Sequence, residues 1–219
     1  VTQLSRTTGF DVLHDDAMAA VSGADVVVEA TGRFTMSRRS ATRFFTASTS
    51  AIGGAAAATG ARHVLLSIVH CMRPEVQGYG YFAGKTAQEA TARSVSPDLT
   101  IVRSTQWFEF ARQNLQRMHL GPVALVPVMT IAPVALDAVA EVIADVVVGD
   151  RTATEIDVAG PETTTLWSMT TTLRGRGPAP VLLPIPGRTG RAFRDGALLP
   201  AAGTEVVGPR FRDWAAGNG

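Results

Sequence analysis

An α/β fold built on a parallel sheet covered on both faces follows from three features of the 219-residue sequence. The apolar, β-branched runs ADVVVEA, HVLLSIV and LTIVRS alternate with stretches of helical spacing. The runs are nearly continuous in apolar character, as expected of strands buried on both faces. Each ends in small or polar residues, and in such sheets ligands collect at the carboxyl ends of the strands.

Taken in order, VTQLS alternates apolar and polar residues and reads as a short strand ending at Ser5–Arg6. TTGFDVLHDD is a loop, and DDAMAAVSG a short helix with acidic residues at its positive end and Gly23 at its close. ADVVVEA, bounded by Gly23 and Gly32, is a buried parallel strand, and a helical region runs from about Ser37 to Thr59. HVLLSIV is the next strand, the segment around Tyr81 the next helix, and LTIVRS the strand after it. Strand-to-strand connections of this kind are right-handed. Beyond about Gly121 the pattern loosens into a strand (PVALVPVM), a helix (APVALDAVAEVIADVVVGD) and a strand (TEIDVAG). The stretch RGRGPAPVLLPIPGRTGR reads as irregular, with short helices. Residues 1–120 are thus expected to form the sheet's core. Residues 121–219 are expected to complete the sheet and fold over it as a lid, in one continuous domain.

Hydrophobic residues make up 46% of the chain and charged residues 18%, the balance of an ordinary globular protein. A formal net charge of +1 gives no wholesale attraction to nucleic acid or anionic membrane. The longest apolar stretch, ALDAVAEVIADVVVG, carries Asp137, Glu141 and Asp145 as a polar stripe, so it is an amphipathic helix and not a membrane span. A single cysteine, Cys71, rules out an internal disulfide. His63, His70 and Cys71 have neither metal-ligand spacing nor the order of a thiol triad, so no metal is expected. The expected compartment is cytoplasmic.

The stretch GYGYFAGKTAQEATA carries the chemistry, because it sets Tyr81 and Lys85 four residues apart on one helix face. A phenol of pKa about 10 is in the wrong state to act as a base at neutral pH. A nearby ammonium favours the phenolate and lowers that pKa. Ser67, at the end of the preceding strand, could hydrogen-bond a carbonyl oxygen while Tyr81 transfers the proton, although a serine there also serves as a turn cap. Gly84 inside the helix costs about 1 kcal/mol relative to alanine, so close approach of another backbone or a cofactor is expected there. Trp107, Phe108 and Phe110 fall near the expected pocket, and Arg33, Arg38, Arg39 and Arg43 form a solvated helix face.

Strand–Ser67 followed by Tyr81-x-x-x-Lys85 resembles the short-chain dehydrogenase/reductase superfamily. The segments ARHVLLSIV, GYGYFAGKTAQEATARS and LTIVRSTQWFEF are most similar to its atypical NmrA-like branch of NAD(P)H-binding proteins, as are the later AGPETTTLWSM and GALLPAAGTEVVGPRFRDW. The resemblance covers nearly the whole chain and implies a Rossmann-like, doubly wound sheet. It implies Tyr81 as general acid/base, Lys85 as the group that binds the nicotinamide ribose and lowers the Tyr81 pKa, and Ser67 as the group that orients substrate. Ser5 and Arg6 match the position that reads the adenosine ribose, where a guanidinium suits a 2′-phosphate and favours NADP over NAD. Asp11 and Val12 match the adenine loop, and Ala30, Thr31 and Gly32 the strand end beside ribose and phosphates. Arg103, Ser104 and Thr105, with Gln106 and Trp107, match the loop that passes the nicotinamide and opens the substrate pocket.

One departure stands out. The family opens with a strand, a Gly-rich turn and a helix that hold the pyrophosphate. This sequence starts at Val1 on what would be the second strand, and Gly53–Gly54 lie inside an alanine-rich helical stretch. The resemblance therefore implies either a fragment of a longer protein, the favoured reading, or loss of the phosphate cradle. Either puts tight dinucleotide binding by this chain in question. Three functions remain open: an NAD(P)H-dependent oxidoreductase acting on a carbonyl or quinone-like small molecule, a non-catalytic NAD(P)-binding redox sensor with a protein partner, and a truncated inactive remnant.

Overall fold

The computed structural model describes residues 1–175 and 177–218. The chain divides into two compact units: Val1–Ser67, Tyr79–Val102 and Val146–Ile156 form one, and Ile68–Gly78, Arg103–Asp145 and Asp157–Gly219 the other. The division is interleaved along the chain instead of falling at one boundary.

The first elements are α1 (Ala17–Val21), β1 (Val26–Glu29), α2 (Arg38–Thr59), β2 (Arg62–Ile68), α3 (Gly80–Val95) and β3 (Leu99–Ser104). They follow the strand–helix alternation read from sequence. Asp16 caps α1 by accepting from the Ala19 amide, Ser37 caps α2 by accepting from Ser40, and Gly60 closes α2 with a left-handed backbone. Next come α4 (Glu109–Arg117), β4 (His119–Leu120), β5 (Val123–Pro127), β6 (Thr130–Ile131), α5 (Leu136–Val148) and β7 (Glu155–Ala159). β8 (Thr164–Thr165), α6 (Leu166–Leu173), β9 (Ala179–Leu183), α7 (Gly187–Arg194), β10 (Glu205–Val206) and α8 (Phe211–Asn218) complete the chain.

Five strands form a parallel sheet in the order β1-β2-β3-β7-β10, flanked by helices: a Rossmann-like α/β architecture. β1 runs parallel to β2 with Val27 opposite His63 and Glu29 opposite Leu65. β10 runs parallel to β7. Smaller sheets, β4-β5-β9 and β6-β8, lie in the second unit.

Within the first unit, Val27 packs with Ala17, Val21, Ile52, Ala55, Ala56 and Ala61 beneath α1 and α2. Leu65, Ala92 and Ile101 form a second cluster under α3. The α2 stripe Ala41, Phe45, Ser48, Thr49, Ile52 and Gly53 is buried at helical spacing. α2 and α3 approach closely because Gly84 has no side chain: a Cβ there would stand 2.5 Å from Phe45 Cδ2 and 2.9 Å from the Ala41 Cβ. The helix-interior glycine is explained by close helix packing.

Three expectations need correction. VTQLS forms no strand; residues 1–4 are exposed and Ser5 precedes a 3-10 turn at Arg6–Thr8, where its hydroxyl meets Thr7 and Thr8. An alternating segment becomes a strand only by pairing with a neighbour, and here local serine and threonine hydroxyls take up the backbone instead. ADVVVEA is not buried on both faces: β1 is an edge strand, and Val28 is 42% exposed between buried Val27 and Glu29. Finally, APVLL in the stretch read as irregular forms a strand, β9, because it pairs in register with β5.

Candidate active site

Strand alternation sets one wall of the site. His63 and Leu65 both face α3, since His63 Nδ1 lies 2.7 Å from Ser96 Oγ at the α3 C-cap and Leu65 packs on Ala92. Side chains two apart on a strand share a face, so Ser67, 2% exposed, is directed to the α3 side as well. Lys85 Nζ donates to the Leu66 carbonyl at 2.7 Å, which fixes the ammonium against the Leu66–Ser67 peptide.

Tyr81 and Lys85 both meet the Phe45 ring on α2. The Tyr81 ring stands edge-on to it, with centroids 5.6 Å apart and planes at 76°, and Lys85 Nζ lies 5.1 Å from the same centroid. A Cβ on Gly32 would stand 3.5 Å from the Tyr81 hydroxyl, which places the phenol oxygen against the strand end Ala30–Thr31–Gly32. Tyr81 is half-buried, whereas Lys85 is 4% exposed. Ser67, Tyr81, Lys85, Thr31 and Gly32 are therefore gathered around one end of β1 and β2. Burial pushes the neighbouring Tyr79 phenol up to about 12, and the Tyr81 charge adds to the rise.

Behind these residues lies a buried polar network that sequence reasoning missed. Glu29, 1% exposed, accepts hydrogen bonds on Oε1 from Thr31 Oγ1, Thr49 Oγ1 and Gln88 Nε2, each at 2.7 Å. His63 Nε2 lies 3.2 Å from Glu29 Oε2 and donates to the ionised carboxylate. Burial raises the Glu29 pKa, but the hydrogen bonds from His63, Thr49 and Thr31 outweigh it and hold the carboxyl below its ordinary value. Gln88 also donates to Thr31 Oγ1 at 3.2 Å and accepts from Lys85 Nζ at 2.6 Å. A Cβ on Gly53 would stand 2.6 Å from Ser96 Oγ, so that helix-interior glycine makes room for the Ser96–His63 end of the network. A signal was present in the sequence: an acidic residue at the end of an apolar strand must be paired once buried.

The other expected residues have local contacts of their own. Ser5 and Arg6 sit in the exposed N-terminal turn. Asp11 accepts from the Leu13 amide while its own amide donates to Asp15 Oδ2, and Val12 packs beside the α1/α2 core. In the second unit, Arg103 pairs with Asp157 on β7 at 3.1 Å. Thr105 Oγ1 donates to the Ala132 carbonyl, and Trp107 Nε1 donates to Ser104 Oγ at 2.9 Å. Gln106 bonds Val134 through its backbone, and its side-chain Oε1 is buried without a hydrogen-bond partner. Phe108 is core, packed on Phe211 and Trp214. Arg33, Arg38, Arg39 and Arg43 are exposed, but only the last three lie on α2; Arg33 precedes the helix and lies over the Phe44 ring, so the four do not form one helix face.

No family model and no curated relative matches the chain. Solved structures do. The dTDP-4-dehydrorhamnose reductase of Bacillus anthracis, in complex with NADP, superposes with a TM-score of 0.60 at 11% identity, over 96% of this chain and 89% of that one. A NADPH-dependent quinone oxidoreductase of Escherichia coli, complexed with NADPH, gives 0.65 at 13% over 95% and 81%. The UDP-N-acetylglucosamine 4-epimerase of Bacillus cereus gives 0.55 at 14% over 79% and 72%. At such identities the likeness is one of architecture: the chain carries the Rossmann-like fold of NAD(P)-dependent reductases and epimerases.

Proposed function

We propose that the chain is an NAD(P)H-dependent oxidoreductase of the short-chain type, acting on a carbonyl or quinone-like acceptor. The observation that carries this reading is the placement of the Tyr81 hydroxyl against the β1 end while Lys85 rests on the Leu66–Ser67 peptide. The residues present fit the nicotinamide–ribose half of a dinucleotide. Gly32 offers a side-chain-free approach beside a phenol and a buried ammonium, at the strand ends where this architecture binds ligands. Bound NADPH would supply the hydride. Tyr81 would give its phenolic proton to the acceptor oxygen, Ser67 would hold that oxygen by a hydrogen bond, and Lys85 would stabilise the resulting phenolate. A quinone-like acceptor is favoured by the quinone oxidoreductase among the structural neighbours. NADP is favoured over NAD by Arg6, through the resemblance described above.

The test is NADPH oxidation by the purified chain with a soluble quinone. Tyr81→Phe is expected to lower kcat by about 10²–10⁴-fold, the usual share of general acid catalysis, with cofactor affinity retained. Retained affinity with no turnover in either protein would instead point to a cofactor-binding sensor, and unchanged turnover to catalysis that does not use Tyr81.

A further inference from the structure

Lys85 is the chain's only lysine; arginine fills every other permanently cationic position. The two are not interchangeable, since an ammonium is a compact point charge with three donors and a guanidinium a planar fork. The buried ammonium is held from below through an amide. Gln88 presents its carbonyl oxygen to Lys85 Nζ at 2.6 Å and its NH₂ to Glu29 Oε1 at 2.7 Å. The charges on either side dictate that orientation, because only the oxygen can accept from an ammonium and only the nitrogen can donate to a carboxylate. Glu29 is anchored in turn by Thr49 and His63, and His63 by Ser96.

We propose that Gln88 and Glu29 are positioning residues for Lys85, forming an amide-bridged ion pair that holds the ammonium at the Tyr81 end of the site. A direct Glu–Lys contact would draw the ammonium down toward Glu29. The glutamine between them lets a buried carboxylate compensate the charge while the head group stays on the Leu66 carbonyl, over the ring that Tyr81 also touches. Thr31 ties the same carboxylate to the strand end beside the phenol. The inference rests on the reading in which Lys85 lowers the Tyr81 pKa.

The chain's two tyrosines make it testable without any activity assay. In a Tyr79→Phe background Tyr81 is the sole phenol, and its ionisation is read by ultraviolet titration. Lys85→Met is expected to raise the Tyr81 titration by one pH unit or more. Gln88→Met, nearly isosteric but without hydrogen bonds, is expected to raise it in the same direction, and to add nothing once Lys85→Met is present. A Gln88→Met shift of zero alongside a clear Lys85→Met shift overturns the positioning role and leaves the reading of Lys85 intact. A Lys85→Met shift of zero overturns both. Should Gln88→Met fail to fold, ¹⁵N-lysine labelling of the unmutated chain gives a single side-chain resonance. Slowly exchanging NH₃⁺ protons in that resonance, with faster exchange in Glu29→Gln, support the bridge; exchange at the rate of free lysine in the unmutated chain overturns it.

Discussion

Replacing Glu29 by leucine should destabilise the fold far more than replacing it by glutamine, and the structure sets the size of the difference. Glu29→Leu removes the acceptor of Thr49, Gln88 and His63, which are 0%, 0% and 1% exposed. Leaving a buried donor unpaired costs about 1–3 kcal/mol. At the lower end for each, since Gln88 retains Thr31 as a second acceptor, the loss is about 3 kcal/mol, roughly a hundredfold in the folding equilibrium. For a domain of this size that is a fall in Tm of about 6–12 °C. Glu29→Gln keeps an oxygen for Thr49 and Gln88 and loses only the acceptor of His63, so it should cost about 1 kcal/mol. The pH dependence gives a second handle. The folded-state pKa of Glu29 lies below the ordinary 4.5, so its ionisation stabilises the fold above that value and the contribution is lost as pH falls through the lower, folded value. The gap between the unmutated chain and Glu29→Gln should therefore be full at neutral pH and shrink below pH 4.5. Urea unfolding followed by circular dichroism measures all of this. A Glu29→Leu variant within about 0.5 kcal/mol of the parent, the range of ordinary surface substitutions, would refute the network's structural role.

Three further outcomes are expected. Gly84→Ala would drive a methyl to 2.5 Å from Phe45; overpacking of about 1–3 kcal/mol, offset by about 1 kcal/mol of helix propensity, should leave a net loss visible in the urea midpoint. Ultraviolet titration of the unmutated chain should show a phenol step near 12 that is abolished by Tyr79→Phe. Trp107→Phe removes the hydrogen bond to Ser104 and should cost about 1 kcal/mol in thermal unfolding.

How much of this was written in the chain differs from element to element. LTIVRS became β3 with the bounds read from its apolar run, and the Ser37 cap and Gly60 stop delimit α2, because these signals act within a few residues. VTQLS carried an equally regular pattern and formed no strand, since a ladder needs a partner that no local pattern reports. APVLL lay in a proline-rich stretch and became β9 for the converse reason, a neighbour in register.

The site divides along the same line. Helical periodicity by itself determined that Tyr81 and Lys85 share a face, and strand periodicity that Ser67 follows His63 and Leu65. Only the tertiary structure decided that Phe45 lies between helix faces to receive both side chains, and that Gly32 comes to the phenol. It also decided that Glu29, fifty-nine positions before Gln88, meets it at 2.7 Å. Backbone geometry sets neighbours three or four residues apart, whereas a buried charge finds its partner only when packing removes the water that would otherwise solvate it.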